Sequence, residues 1–229
     1  MVIHHRAAHC LPTAAALFVT AAAGLAATTL VASAAYAWDE VTDDDGVKVY
    51  RRSASGSDVK EFKAISTIAA HIDTVMAVIS DIDKYPRIMP PTAAVKLLSR
   101  EGKASKYYFV INPPVISKRD YCATTTSART GSGYKVDWKQ FHDGCAPVDG
   151  IVRMVSNVGS WNLAAGAEPN TTTVTYQVHA DPGGSLPTFM VNRATTKTVL
   201  EVFGSVRSAV KLGAYTKCAG NIGACVSWL

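Results

Sequence analysis

Charge is scarce in this chain. Only 18% of its 229 residues are Asp, Glu, Lys or Arg, and no run of Lys or Arg of the kind that tracks phosphates occurs. The formal charge of +5 is therefore diffuse, and a nucleic-acid partner finds no support. Aromatic residues make up only 8%. Gly and Pro recur without a short period, and no self-similarity of roughly 30 to 50 residues is visible, so collagen-like, low-complexity and solenoid architectures are excluded.

Catalytic and metal motifs are missing as well. There is no G-x-S-x-G elbow, no H-E-x-x-H and no phosphate-cradling Gly loop. No C-x-x-C occurs, and His71, His142 and His179 stand at no recognisable ligand spacing, so neither a metal nor another cofactor is expected. His142 lies in a His-Asp-Gly-Cys loop, while His179 and Asp181 fall at the rim of a strand, outward by parity. With no acid or base on an inward face, no catalytic residue is assigned and the protein reads as a non-enzyme.

What is present is apolar: 48% of the residues are hydrophobic, as in a folded globular chain. The stretch from Ala14 to Ala35 holds no charge, follows His4, His5 and Arg6, and leads into Ala35-Tyr36-Ala37. This reads as a signal peptide over 1–37 with Trp38 as the new N-terminus, which places the protein in the periplasm or outside the cell. The competing reading is an uncleaved membrane anchor, since an apolar run of about 20 residues can span a bilayer. Removing Cys10 with the leader leaves Cys122, Cys145, Cys218 and Cys225. Four cysteines permit three pairings. A local Cys218–Cys225 loop is the simplest, leaving Cys122 with Cys145; buried free thiols are the alternative.

The remaining chain reads as β-rich with two helices. A turn at Asp43 to Gly46 precedes strands from Val47 to Arg52 and Val59 to Ala69. Ile72, Val75, Met76 and Ile79 recur at helical spacing, which predicts an amphipathic helix from Ile72 to Asp83 closed by Tyr85-Pro86. Seven strands follow: 94–100, 105–112, 119–129, 134–141, 150–157, 160–164 and 172–180. Their alternation gives one dry and one wet face. Val199, Phe203, Val206 and Val210 then form an apolar stripe on a long helix from Thr188 to Leu212.

Several segments carry a family resemblance in their order and spacing. They are Lys118-Arg119-Asp120-Tyr121, Gly150-Ile151-Val152-Arg153-Met154, Gly159-Ser160-Trp161-Asn162-Leu163, and Thr175-Tyr176-Gln177-Val178-His179-Ala180 running on through Pro187. The set resembles a bacterial-type START domain, one of the lipid-transfer modules related to the steroidogenic acute regulatory protein, within the helix-grip and polyketide cyclase-like superfamily. The resemblance covers 38–212, with 213–229 a Cys-containing tail. It implies an α+β helix-grip fold, a curved antiparallel sheet wrapped around a long C-terminal helix. It further implies one lipid, phospholipid or sterol-like, in the tunnel between them; a polyketide cyclase-like or other small-molecule enzyme using the same cavity is the alternative.

Parity names a candidate lining. Tyr121, Ala123 and Thr125 face inward from one strand, Val136, Trp138 and Gln140 from the next, and Val174, Tyr176 and Val178 from the last. Met154 comes from the matched Gly150 to Met154 segment, and Thr195, Val199 and Phe203 close the tunnel from the helix. Plain core packing has the same pattern for each apolar member. Thr125 and Gln140 need a polar partner when buried, a lipid head or a backbone group. Arg119, Asp120 and Arg153 read either as a headgroup-binding charge or as an ion pair tying strand edges. Pro182, Gly183 and Gly184 form a lid, and Phe189 and Met190 beyond it are placed to touch a membrane surface transiently.

Overall fold

The computed structural model describes residues 37–226 apart from 115 and 132, so the expected leader lies, but for Ala37, outside the described residues. Ten strands form one sheet: β1 (Asp39–Asp44), β2 (Val47–Ala54), β3 (Ser57–Ile68), β4 (Thr92–Glu101), β5 (Ala104–Ile111), β6 (Arg119–Thr130), β7 (Gly133–Phe141), β8 (Val152–Arg153), β9 (Ser156–Ala165) and β10 (Thr172–Asp181). Their order is β1-β2-β3-β10-β9-β7-β6-β5-β4, and β8 pairs with β6. Every neighbour pair along this path is antiparallel; only the short β8 runs parallel to its partner.

Three local readings needed revision. The expected turn at 43–46 is a two-residue Asp45-Gly46 hairpin with φ of 49° and 67°, so the acidic residues before it extend into β1. The strand expected over 150–157 is pinned at separate points instead. Val152 and Met154 donate backbone bonds to Lys118 and Asp120, and Val155 donates to Asp181, so the segment crosses between strands before β9 begins. The first helix, α1 (Ile72–Ser80), stops earlier than expected, and a 3₁₀ turn at Ile82–Lys84 leads into the short α2 (Tyr85–Ile88). Pro86 falls in the first turn of α2, where a missing N–H costs nothing, so it opens a helix instead of closing one.

The long helix α3 (Thr188–Ala209) packs on β3 and β2 and against α1 and α2. Val199, Phe203, Val206 and Val210 are all buried, as their spacing required. From Asp73 through Ser80 every residue of α1 is buried, so this helix is enclosed on all sides instead of lying on the surface. The C-terminal segment supplies part of the enclosure. α4 (Gly213–Thr216) and the turn at Ile222–Ala224 pack on α1, burying Tyr215, Cys218, Ile222 and Val226 in the main core, with Tyr215 Oη donating to Asp81 at 2.9 Å.

Both disulfides form, Cys122–Cys145 and Cys218–Cys225, with Cα–Cα distances of 6.0 and 5.9 Å. The first closes a loop of 23 residues and the second a loop of 7. Chain entropy predicts that replacing Cys122 and Cys145 by Ser lowers unfolding free energy by about 3.5 kcal/mol, and replacing Cys218 and Cys225 by about 2.5 kcal/mol. Urea unfolding of the two double variants, with and without reductant, measures the difference.

Candidate functional site

Register decides which side chains share the concave face. Tyr107 lies opposite Ala123, Phe109 opposite Tyr121 and Ser105 opposite Thr125. Gln140 lies opposite Ala123 and Trp138 opposite Thr125, while β9 carries Gly159 and Trp161 between β7 and β10. The apolar side chains on this face fall into two packed clusters. The larger joins β2, β3, β7, β9 and β10 to α1, α3 and the C-terminal segment; the smaller contains Ile82, Tyr107, Phe109 and Ala123. Tyr85 packs against both.

The parity-based candidates divide accordingly. Val136, Val174, Val178, Val199 and Phe203 are sealed in the larger cluster, the last two at 2% and 0% exposure, and Ala123 is sealed in the smaller. Tyr121, Thr125, Trp138, Gln140, Tyr176 and Thr195 keep accessible surface. Two of their hydroxyls are already bonded to backbone: Thr125 Oγ1 to the Ser105 carbonyl at 3.1 Å, and Thr195 Oγ1 to the Val191 carbonyl at 2.9 Å. Met154 is buried behind Gln140, whose Nε2 donates to the Met154 carbonyl at 2.8 Å. Oε1 of that amide is buried with no hydrogen-bond partner among the described residues.

A chain of rings crosses the face. Tyr176 stacks on Trp138 at 5.6 Å and meets Trp161 at 4.3 Å, and Trp161 leans on Phe203 at 6.0 Å. Trp138 reaches across β9 because Gly159 lies beneath it. A Cβ there would stand 2.3 Å from the Trp138 ring and 2.2 Å from the Gln177 carbonyl oxygen. Trp138 Nε1 donates to Asn157 Oδ1 at 2.7 Å. On the other side, Tyr121 stacks on Phe109 at 4.7 Å.

Burial pushes the phenols of Tyr85, Tyr121 and Tyr176 far above the ordinary tyrosine value; Tyr176 further raises Tyr121, and both further raise Tyr85. Yet all three keep accessible surface. Tyr85 spends its hydroxyl on the Ile79 carbonyl at 2.6 Å. The Tyr121 and Tyr176 hydroxyls have no hydrogen-bond partner among the described residues. Tyr85 was not anticipated as a wall residue, because its position before Pro86 reads only as a helix boundary. Tyr107 and Phe109 were legible from the alternation of their own strand.

The charged candidates separate. Asp120, 1% exposed, accepts from Arg153 Nε at 2.7 Å, from Arg153 Nη2 at 3.1 Å and from Tyr108 Oη at 3.0 Å. Arg153 also donates to the carbonyls of Cys145 and Ala146, tying the disulfide loop to the sheet. This is the strand-tying ion pair. Arg119, 3% exposed, has no carboxylate partner among the described residues. It donates to Ser117 O and Oγ and to the lid carbonyls of Pro182 and Gly183, at 3.2 and 3.4 Å for the latter two. The lid turns through Gly183 and Gly184 at φ of 65° and 77°, with Gly183 N donating to Asp181 Oδ1.

Two open clefts lie apart from these phenols. One, of about 480 Å³, is lined by Thr124, Thr126, Lys139 and Val158 of the convex face and also by Trp138, Gln140 and Gly159. The other, of about 520 Å³, lies beside α2 between Pro86–Ala93, Asn112 and Ser205.

The phenols set an alkaline limit on stability. Burial, reinforced by the bonds to Asp120 and Asp73, pushes Tyr108 and Tyr134 up to about 12 from an ordinary 10.0. A phenol with a raised folded-state pKa holds its proton better when folded, so its contribution is complete below pH 10 and is lost as pH rises through about 12. Urea midpoints are expected to stay level up to about pH 10 on this account and to fall above it, with a shallower fall in Tyr134→Phe.

A family model described as polyketide cyclase / dehydrase and lipid transport matches residues 68–202. An uncharacterized protein of Pseudomonas aeruginosa is 31% identical over 176 residues, covering 76% of this chain and 87% of its own. The crystal structure of a STAR-related lipid transfer protein fragment from Xanthomonas axonopodis is 30% identical, with a TM-score of 0.69, covering 76% of this chain and 99% of the fragment. Human StAR-related lipid transfer protein 5 shares the fold at 17% identity and a TM-score of 0.71, covering 76% of this chain and 86% of its own. With its curved antiparallel sheet gripping one long C-terminal helix, the chain belongs to the polyketide cyclase / dehydrase and lipid transport family and is a START-type helix-grip domain.

Proposed function

We propose that the protein binds one hydrophobic ligand, phospholipid or sterol-like, between the sheet and α3, and carries it between membranes outside the cytoplasm without transforming it. The observation that carries this reading is the divided concave face, where Tyr85, Tyr121, Trp138 and Tyr176 pack on the clusters and yet keep accessible surface. Apolar area removed from water stabilises a guest by about 25 cal/mol per Å², so a few hundred Å² supplies several kcal/mol before ordering costs. The ionisable groups named on this wall are phenols that burial keeps protonated, which suits holding a guest better than moving a proton. Tyr121, Trp138, Gln140 and Tyr176 are the proposed contacts, with Thr125, Met154, Thr195, Val199 and Phe203 behind them.

Two disulfides support an exported location, with 1–37 as the cleaved leader, 38–212 as the lipid-binding domain and 213–229 as its tail. No helix among the described residues is long and apolar enough to cross a membrane. Phe189 and Met190, in the first turn of α3, are 72% and 48% exposed, and Val155, against the Gly183 backbone, is 61% exposed. We take this apolar rim beside the lid as the surface that meets a bilayer.

Organic extraction of purified residues 38–229 followed by mass spectrometry is expected to yield a hydrophobic species near one per chain; repeated recovery of none, with no uptake from vesicles, would remove the carrier reading. Phe189→Ser with Met190→Ser is expected to slow transfer between vesicles several-fold and to leave ligand affinity unchanged. Arg119→Met, which frees the lid carbonyls, is expected to speed exchange.

A further inference from the structure

We infer that the leader can be removed only before the sheet closes, so that cutting after Ala37 and folding of the domain compete for the same chain. This rests on the reading of 1–37 as a cleavable leader and is independent of what the domain carries. Cutting adds water across the Ala37–Trp38 peptide bond, leaving a carboxylate on Ala37 and an ammonium on Trp38. A peptidase takes its substrate extended and unpaired on both sides of the bond, so a bond held in folded structure is cut only through local opening. The bond after Ala37 adjoins folded structure with no slack between them.

Ala37 is exposed, but Trp38 is half-buried. The Arg52 guanidinium and the Lys63 ammonium both lie over its indole, 4.3 and 4.5 Å from the ring centroid. Lys63 is further held over the Tyr50 ring at 4.8 Å. Asp39, the next residue, already pairs with Arg51 in β1, and Glu40 pairs with Tyr50. The first residue after the bond is therefore clamped by its side chain, and the second is in a strand ladder.

The clamp depends on residues far along the chain. Arg52 donates through Nε to Glu61 Oε2 at 2.6 Å, and Glu61 Oε1 accepts from Gln177 Nε2 of β10, 116 positions later. β10 also pairs with β3 from Ile68 to Glu61, fixing the strand that carries Lys63. Pairing over such a separation forms late. During export the bond after Ala37 stays open to a peptidase until β10 arrives. A chain that completes its sheet first keeps its leader. Cleaved leader and retained anchor, the two readings of the N-terminal segment, then become two fates of one chain, decided by which step comes first.

The test uses the full 229-residue chain, oxidised and folded in dodecyl maltoside, with a purified signal peptidase and mass spectrometry of the products. A synthetic peptide of residues 28–44 supplies the rate for the same bond in an unfolded chain. The folded chain is expected to be cut after Ala37 at least about tenfold more slowly than the peptide. A Gly-Ser-Gly-Ser spacer inserted between Trp38 and Asp39 keeps the residues on both sides of the cut and moves them off β1. It is expected to bring the rate to within about threefold of the peptide. Arg52→Ala with Lys63→Ala removes the clamp without touching the cut sequence, and its rate is expected to fall between the two. Equal rates for folded chain and peptide, or a spacer chain cut no faster than its parent, would overturn the inference while leaving the leader in place. A peptide left uncut at this bond takes down the leader reading and the inference together.

Discussion

A sheet with one apolar face must have that face removed from water, and a single helix is too narrow to do it here. The strands lie about 4.8 Å apart, while a helix with its side chains is about 10 to 12 Å across, so one helix covers two or three strands. The sheet path has nine strands, and α3 lies on β3 and β2. α1 and the C-terminal segment extend the cover, which explains why α1 is buried on every side and why the tail is drawn into the core. The aromatic band between the two clusters is what this cover leaves over. Large rings there bury area with few rotatable bonds, and Gly159 lets Trp138 lie flat across a strand.

Charge is arranged to keep that band neutral. Asp120 points to the opposite side of β6 from Tyr121, and its ion pair with Arg153 doubles as the fastening of the Cys122–Cys145 loop. Breaking such a buried pair strands a charge, which is why it serves to fix geometry even where its net contribution to stability is small. Arg119 faces the other way and is satisfied by carbonyl oxygens, two of them from the lid. The proposed lid is held by two long hydrogen bonds and turns through left-handed glycines, and the exposed Phe189 lies just beyond it. On the proposed function, ligand release and membrane contact share one end of α3.

Much of this was legible in the chain because it rests on local periodicity. Alternation placed Tyr121, Trp138, Gln140 and Tyr176 on one face, and helical spacing placed Val199 and Phe203 on the buried stripe of α3. Proximity in sequence suggested the Cys218–Cys225 bond, which left Cys122 for Cys145. Tyr85 was invisible because nothing in Lys84-Tyr85-Pro86 says that a turn of helix will carry its ring to a distant strand. The segment 150–157 read as a strand because its apolar content is right, yet its backbone bonds go to Lys118, Asp120 and Asp181 one at a time.

By itself the sequence determined the strand faces, the two main helices and the family resemblance, since each depends on residues within a few positions of one another or on their order along the chain. Only the tertiary structure decided which inward side chains are sealed and which keep accessible surface. Val136 and Trp138 carry the same parity on one strand, but Val136 is sealed in the core while Trp138, stacked on Tyr176, keeps some accessible surface. That difference comes from how far a helix remote in sequence reaches across the sheet, and no local pattern encodes the reach.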